Sequence, residues 1–194
     1  PPFMKLLIDE ARRQRFPLRD YRLDALVGGE GMSEGLRDYL RTAFRRVFSG
    51  YGATDLEIGV AGETPLSVAI RRQALRSPRL RERLFGRDSR LPMLFQYHPL
   101  AHHIEKNGRG ELLVTLLRPS VLSPRVRYNV HDEGGVARFD EVGRLLEELG
   151  VATAVKRAAG PGRPLRLPFV WVFGRSDSTI SWMGANLYPE DVEQ

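Results

Sequence analysis

Three short runs combine residue types whose spacing could do chemistry. Tyr51-Gly52-Ala53-Thr54-Asp55 sets a hydroxyl and a carboxylate beside glycine. Thr54 could hold a phosphate oxygen and Asp55 a magnesium ion, since hard cations take oxygen ligands. A turn in which Thr caps a helix is the plainer use of the same residues. In the run from Arg127-Tyr128 to Gly134-Gly135, Asp132 follows a β-like segment and precedes glycines. There it could accept two hydrogen bonds from a ribose diol, and charge-assisted bonds are about twice as strong as neutral ones. An Asp before Gly in a hairpin turn would look similar. The third run, Gly174-Arg175-Ser176-Asp177 with Gly184 and Asn186 beyond it, puts a guanidinium and a carboxylate two apart. Arg175 suits hydroxyl or phosphate oxygens, and Asp177 beside small residues suits a hinge; a surface ion pair is the plainer reading.

The elements that must position these runs follow from periodicity and punctuation. Met4, Leu7, Ile8 and Ala11 recur at helical spacing, and Leu23 to Val27 reads as a buried strand ending in Gly28-Gly29. Ser33 predicts the cap of a second helix, with Leu36, Leu40, Ala43 and Phe44 inward and Arg37, Arg41 and Arg45 on another face. Thr64 with Pro65 and Ser77 with Pro78 predict two more helix starts, the second helix closing at Gly86. Beyond Pro92 the texture turns to short β-rich runs at 93–97, 111–117 and 126–130. Asp140 is expected to cap a last helix that ends before Gly150. A Gly/Pro/Arg loop over 158–168 precedes a strand over 167–173. The fold class expected is α/β, with three segments: 1–90, an α/β subdomain; 91–173, β-rich; and 174–194, a hinge. A Tyr-Gly-x-Thr-type turn at a strand end also suits open α/β sheets, whose ligands collect at such ends.

Composition bounds the function classes. The chain has 194 residues, 42% hydrophobic and 28% charged, and no cysteine, which excludes disulfides, thiolate nucleophiles and cysteine zinc sites. No apolar run approaches the roughly 20 residues that span a bilayer, and no charged-then-apolar leader opens the chain. A soluble, cytoplasmic protein is expected. Thirty basic against 24 acidic residues give +6, but only Lys5, Lys106 and Lys156 are lysines. The one basic segment holds arginines 71, 72, 76, 79, 81, 83, 87 and 90. Phe85 is its one aromatic, too few to interleave with the arginines and stack on bases, so a solvated helical face is the expectation over nucleic-acid binding. His98, His102 and His103 are not expected to form a metal cluster, because Pro99 and the β-like flank prevent a shared helical face. Trp171 and Trp182 are expected as core or interface anchors.

Taken in order, the runs resemble the adenylate-forming superfamily, most closely its phenylacetate-CoA ligase-like branch, over about residues 21 to 194. Leu26-Val27-Gly28-Gly29-Glu30-Gly31 resembles the branch's Gly-Ala-Glu-Pro segment, and Tyr51 to Asp55 its Tyr-Gly-x-Thr-Glu motif. Arg127-Tyr128 through Asp132 is similar to Arg-Tyr-Arg-Thr-Gly-Asp. Gly174 to Asp177, followed by Gly184 to Pro189, is similar to the Gly-Arg-Ser-Asp hinge run ending in Gly-Val-Asn-Val-Phe-Pro.

The resemblance implies a parallel-sheet layer with helices followed by a barrel-like β subdomain. It also implies activation of a carboxylic acid, an aryl acid in this branch, by ATP and Mg²⁺ to an acyl-adenylate, then transfer to coenzyme A. Gly28, Gly29 and Glu30 would line the adenine pocket, and Tyr51 and Gly52 would pack beside its ring. Thr54 would hold the α-phosphate, Asp55 the metal, and Asp132 and Arg175 the ribose. Asp177 would be the hinge of a small C-terminal domain. His98 is expected near the acyl site because it follows the chain's most aromatic strand, Phe95-Gln96-Tyr97.

The chain also departs from the family. Asp55 stands for a Glu and is one methylene shorter, so the metal contact implied for it could be lost, shifted to Glu57, or bridged by water. Val130-His131 stands for Thr-Gly. A Ser/Thr/Gly-rich phosphate loop and a lysine-bearing C-terminal domain are missing, so the chain reads as a central piece, inactive alone. A homodimer stays open. A degenerate, non-catalytic binding module is the alternative, and nucleic-acid binding a more distant one.

Overall fold

The computed structural model describes residues 2–176, 180–182 and 185–187. Asp177 and Gly184 lie outside them, as do the side chains of Trp182 and Asn186.

The chain begins with helix α1 (Pro2–Arg13) and a 3₁₀ turn (Leu18–Tyr21), then β1 (Asp24–Gly28), α2 (Glu34–Leu40), β2 (Arg46–Ala53) and β3 (Glu57–Gly62). Next come α3 (Pro65–Arg76), α4 (Pro78–Phe85), β4 (Met93–Tyr97), β5 (His102–Lys106), β6 (Glu111–Leu116) and β7 (Tyr128–Ala137). The last elements are α5 (Phe139–Glu148), α6 (Ala152–Ala159), β8 (Phe169–Arg175) and a hairpin of β9 (Ile180–Trp182) with β10 (Ala185–Leu187). No helix among the described residues is long and apolar enough to cross a membrane.

Local capping chemistry sets the helix starts. Ser33 accepts from the Leu36 N–H, Thr64 from Ser67 in a reciprocal box with Pro65 following, and Ser77 from Leu80 with Pro78 following. Each cap satisfies an otherwise orphaned donor, typically worth about 1 kcal/mol. The start expected at Asp140 is displaced: Arg138 is the N-cap, and its N–H donates to Glu141. α6 follows directly; the sequence pattern assigns no element to residues 151–157, and the loop expected over 158–168 begins only as this helix ends.

The fold is α/β, built on one mixed eight-stranded sheet in the order β1-β2-β3-β4-β8-β7-β6-β5. The expected parallel layer is reduced to β1 and β2, and the other pairs of this sheet are antiparallel. The reason is connection length. α2 lies between β1 and β2 and returns the chain for parallel pairing, whereas the short 54–56 turn before β3 can only make a hairpin. The sheet runs unbroken past residue 91, where β3 pairs with β4.

The sheet is strongly curled. β2 and β7 stand four places apart, about 19 Å if flat, yet Tyr51 of β2 bonds to Asp132 of β7. Glu57 of β3 likewise meets His102 of β5. All eight strands therefore share one concave core that includes Val27, Val47, Val60, Phe95, Leu112, Val114, Val130 and Val170, with Ile8 of α1 and Leu40 of α2. A second core lies between α3, α4, α5 and α6 and the other face of β4 and β8, around Ile70, Leu80, Leu94, Leu146 and Phe169. Strand β4 is buried on both faces, which explains its run of bulky residues.

Candidate functional site

A cleft of about 920 Å³ opens on the concave side. Its walls come from the β1–α2 loop, the end of β2 with the following turn, the start of β4, and the facing parts of β7 and β8. Gly29, Glu30, Tyr51, Gly52, Thr54, Asp55, Asp132 and Arg175 all line it. Residues up to about 145 positions apart in the sequence thus face one volume, the size of a small-molecule site. Gly28 does not line it; as the last residue of β1 it pairs with Gly50.

Tyr51 is buried in the wall, its ring stacked on Phe95 at 5.7 Å between centroids. Its hydroxyl donates to Asp132 Oδ2 at 2.6 Å. Burial, then the adjacent Asp132 charge, pushes its phenol well above the usual value of 10.0. Gly52 follows at a bulge between β2 and β3, where a Cβ would sit 2.3 Å from the Ile58 carbonyl oxygen. Only glycine lets the strands approach this closely.

Thr54 and Asp55 are exposed in the turn after β2. The Asp55 carboxylate accepts from the Tyr128 hydroxyl at 3.0 Å, which raises that phenol, and its carbonyl accepts from Arg125 at 3.1 Å. Glu57, the alternative metal contact, is tied to His102 at 2.8 Å and to Arg118, and does not line the cleft. Asp55 is thus the acidic residue of this turn that faces the cleft. Among the described residues no three His, Cys, Asp or Glu cluster as a metal site. A cation here would be shared with ligand oxygens and water, the usual arrangement for magnesium.

Asp132 does not sit in a turn: β7 continues through it to Ala137, so the hairpin reading is corrected. It pairs with Arg175 across the β7–β8 ladder, and Arg175 Nη1 donates to the Val130 carbonyl at 3.1 Å. His131, which stands where the resembled motif has Gly, has φ 57, the left-handed region glycine enters at no cost. Gly134 and Gly135 are explained by packing, since a Cβ would meet the Trp171 carbonyl at 2.1 Å or its ring at 2.3 Å. Trp171 also meets Phe85 edge-on at 5.7 Å, as an anchor should.

Two groups of bonded polar side chains were not legible from sequence. Glu111 of β6 accepts from Ser176 Oγ at 2.7 Å, Asn107 at 2.9 Å and Asn129 at 3.0 Å. These bonds hold its carboxyl down at about 2, and they tether the residue just before Asp177. The second group, Glu34, Arg37, Glu63 and Arg71, is a buried ion network of which Glu34 and Arg71 line the cleft. Arg37 grips Glu63 through Nη1 at 2.8 Å and Nη2 at 2.5 Å, and donates to the Val47 carbonyl at 2.8 Å. Arg71 was expected on a solvated face, and Arg37 on a face apart from the inward one. Their burial corrects that: Glu34 stands one turn before Arg37, but Glu63 beside Arg37 and Glu34 beside Arg71 come from 26 and 37 positions away and gave no local signal.

His98 is exposed at the β4–β5 turn, accepting from the Leu100 N–H, and is absent from the cleft lining. The cleft draws instead on the start of β4, through Met93 and Phe95. Of the eight arginines in 71–90, Arg71, Arg72, Arg83, Arg87 and Arg90 pair with acids, which weighs against a phosphate-binding face. The chain matches no protein-family model and no curated protein.

Proposed function

We propose that the cleft binds a Mg²⁺-bound nucleotide and that the polypeptide carrying this chain activates a carboxylic acid. A carboxylate oxygen attacks the α-phosphorus of ATP and pyrophosphate leaves. The thiol sulfur of coenzyme A then attacks the acyl carbon, releasing AMP and the thioester. The observation that carries this reading is convergence: residues from four separated segments, each resembling a motif of the same superfamily, line one cleft. In the reading, Gly29 and Glu30 face the adenine, Tyr51 lies beside it, Thr54 holds the α-phosphate, and Asp132 with Arg175 grips the ribose. Asp177 is the hinge.

Charge supports the requirement for a cation. Glu30, Glu34, Asp55 and Asp132 face the cleft against Arg71 and Arg175, four acids against two bases. A bare polyphosphate would be repelled, and a divalent ion beside Asp55 removes that repulsion. Leu75, Leu91, Met93, Phe95, Val172 and Phe173 add an apolar wall suited to the tail of an aryl acid. The protein's share in such a displacement is to orient the groups and offset developing charge.

The test is ATP–pyrophosphate exchange by the full-length polypeptide over a panel of aryl and aliphatic acids, with Asp132→Ala as control. Exchange that depends on one acid and vanishes in the control supports the reading. Folded protein without exchange on any acid overturns it in favour of a non-catalytic nucleotide-binding module. That second reading draws on the engagement of Asp55, shorter than the motif's Glu, by Tyr128.

A further inference from the structure

The loop between β1 and α2 lines one part of the cleft, and α3 with the start of β4 lines the part next to it. In the loop, Gly29 has φ 79. Met32 is buried, with its N–H directed at Met93 Sδ at 3.4 Å. Two residues on stands Glu34, which also lines the cleft and is 8% exposed. Its carboxylate accepts from three guanidiniums: Arg37 Nε at 3.1 Å, Arg72 Nε at 2.7 Å, and Arg71 Nη1. Arg71 donates onward to the Pro92 carbonyl at 2.7 Å, just before β4, and Arg72 reaches back to Asp38 of α2. One carboxylate thus joins α2, α3 and the entry to β4 at the rim of the cleft.

Burying such a cluster is a poor route to stability. Desolvation offsets much of the attraction, and apolar replacements of similar volume are often as stable. What the cluster supplies is geometry, because a carboxylate held by several directional donors permits one spacing between the elements that carry them. We infer that Glu34 is the positioning residue of the cleft. Through Arg71 and Arg72 it holds the Gly29–Ser33 loop at a fixed distance from α3 and so sets the width available to a ligand. Its effect on the nucleotide rests on the reading given under Proposed function; its effect on the loop does not.

The experiment compares wild type, Glu34→Gln and Arg72→Gln, with Arg83→Gln, which breaks a surface pair to Glu148, as control. Hydrogen exchange of the amides of residues 29–33 is measured without ligand, and ATP affinity with Mg²⁺ by equilibrium dialysis. Exchange should rise about tenfold in both cluster variants and not in the control. The ATP Kd should rise about tenfold with it. Wild-type exchange rates in Arg72→Gln, or faster exchange with unchanged ATP affinity, would overturn the inference. If Glu34→Gln does not fold, Arg72→Gln decides, since Arg72 is partly exposed and Arg71 still neutralises Glu34. If wild type binds no ATP, the nucleotide reading falls, and loop exchange alone decides the role of Glu34.

Discussion

The Tyr51 hydroxyl of β2 donates to Asp132 Oδ2 of β7 at 2.6 Å across the concave face of the sheet, with β3, β4 and β8 lying between their strands. This bond joins two of the segments that carry the candidate chemistry. A hydrogen bond to a charged group is worth about 1.5–3 kcal/mol, so Tyr51→Phe should lower unfolding free energy by roughly that much in urea titration at pH 7. The phenol is raised by folding, so its share of stability is present below pH 10 and lost as pH rises through the folded value. The alkaline limb of the stability profile should therefore be shallower in Tyr51→Phe. Identical limbs in the two proteins would contradict this account.

Arg37 is 1% exposed and neutralises Glu63, whose side chain has no exposure. Removing one partner strands the other charge. Arg37→Ala should cost about 3–5 kcal/mol, enough to leave much of the chain unfolded at 37 °C. The double variant Arg37→Met with Glu63→Met should recover part of the loss. A single variant with wild-type denaturation would show that water reaches Glu63.

Gly52 is required by contact with β3, independently of any ligand. A methyl there meets the Ile58 carbonyl at 2.3 Å, while one at Gly59 meets open space. Gly52→Ala should destabilise by about 1–3 kcal/mol, as overpacking does, and Gly59→Ala should not. Equal urea midpoints for the two variants would refute the contact argument.

Glu111 links the cleft end of the molecule to acid. Its folded carboxyl titrates at about 2, lowered from 4.5 first by Asn107, then by Ser176 and Asn129. The stability it contributes is complete above pH 4.5 and is lost as pH falls toward 2. Glu111→Gln should flatten the acid limb within that window and speed amide exchange at Ser176 at pH 7. An unchanged acid limb would mean that the three donors do not hold the ionised form.

The local order of the chain carries the helix starts at Ser33, Thr64 and Ser77, and the placing of Tyr51 and Arg175 at or near strand ends. Those features rest on bonds within four residues and on side-chain periodicity, both written along the chain. It also separated the runs with chemical potential from their neighbours. Strand direction, the curl of the sheet, and the meeting of Tyr51 with Asp132 were decided only by tertiary structure, since each joins residues tens of positions apart. The same holds for the charges. Arg37 and Arg71 carry the periodicity of surface residues, and nothing within a helical turn distinguishes them from Arg41 or Arg76. Only the arrival of Glu63 beside Arg37, adding to Glu34 of its own helix, and of Glu34 beside Arg71 lets them be buried, because a buried guanidinium is tolerated where a carboxylate meets it.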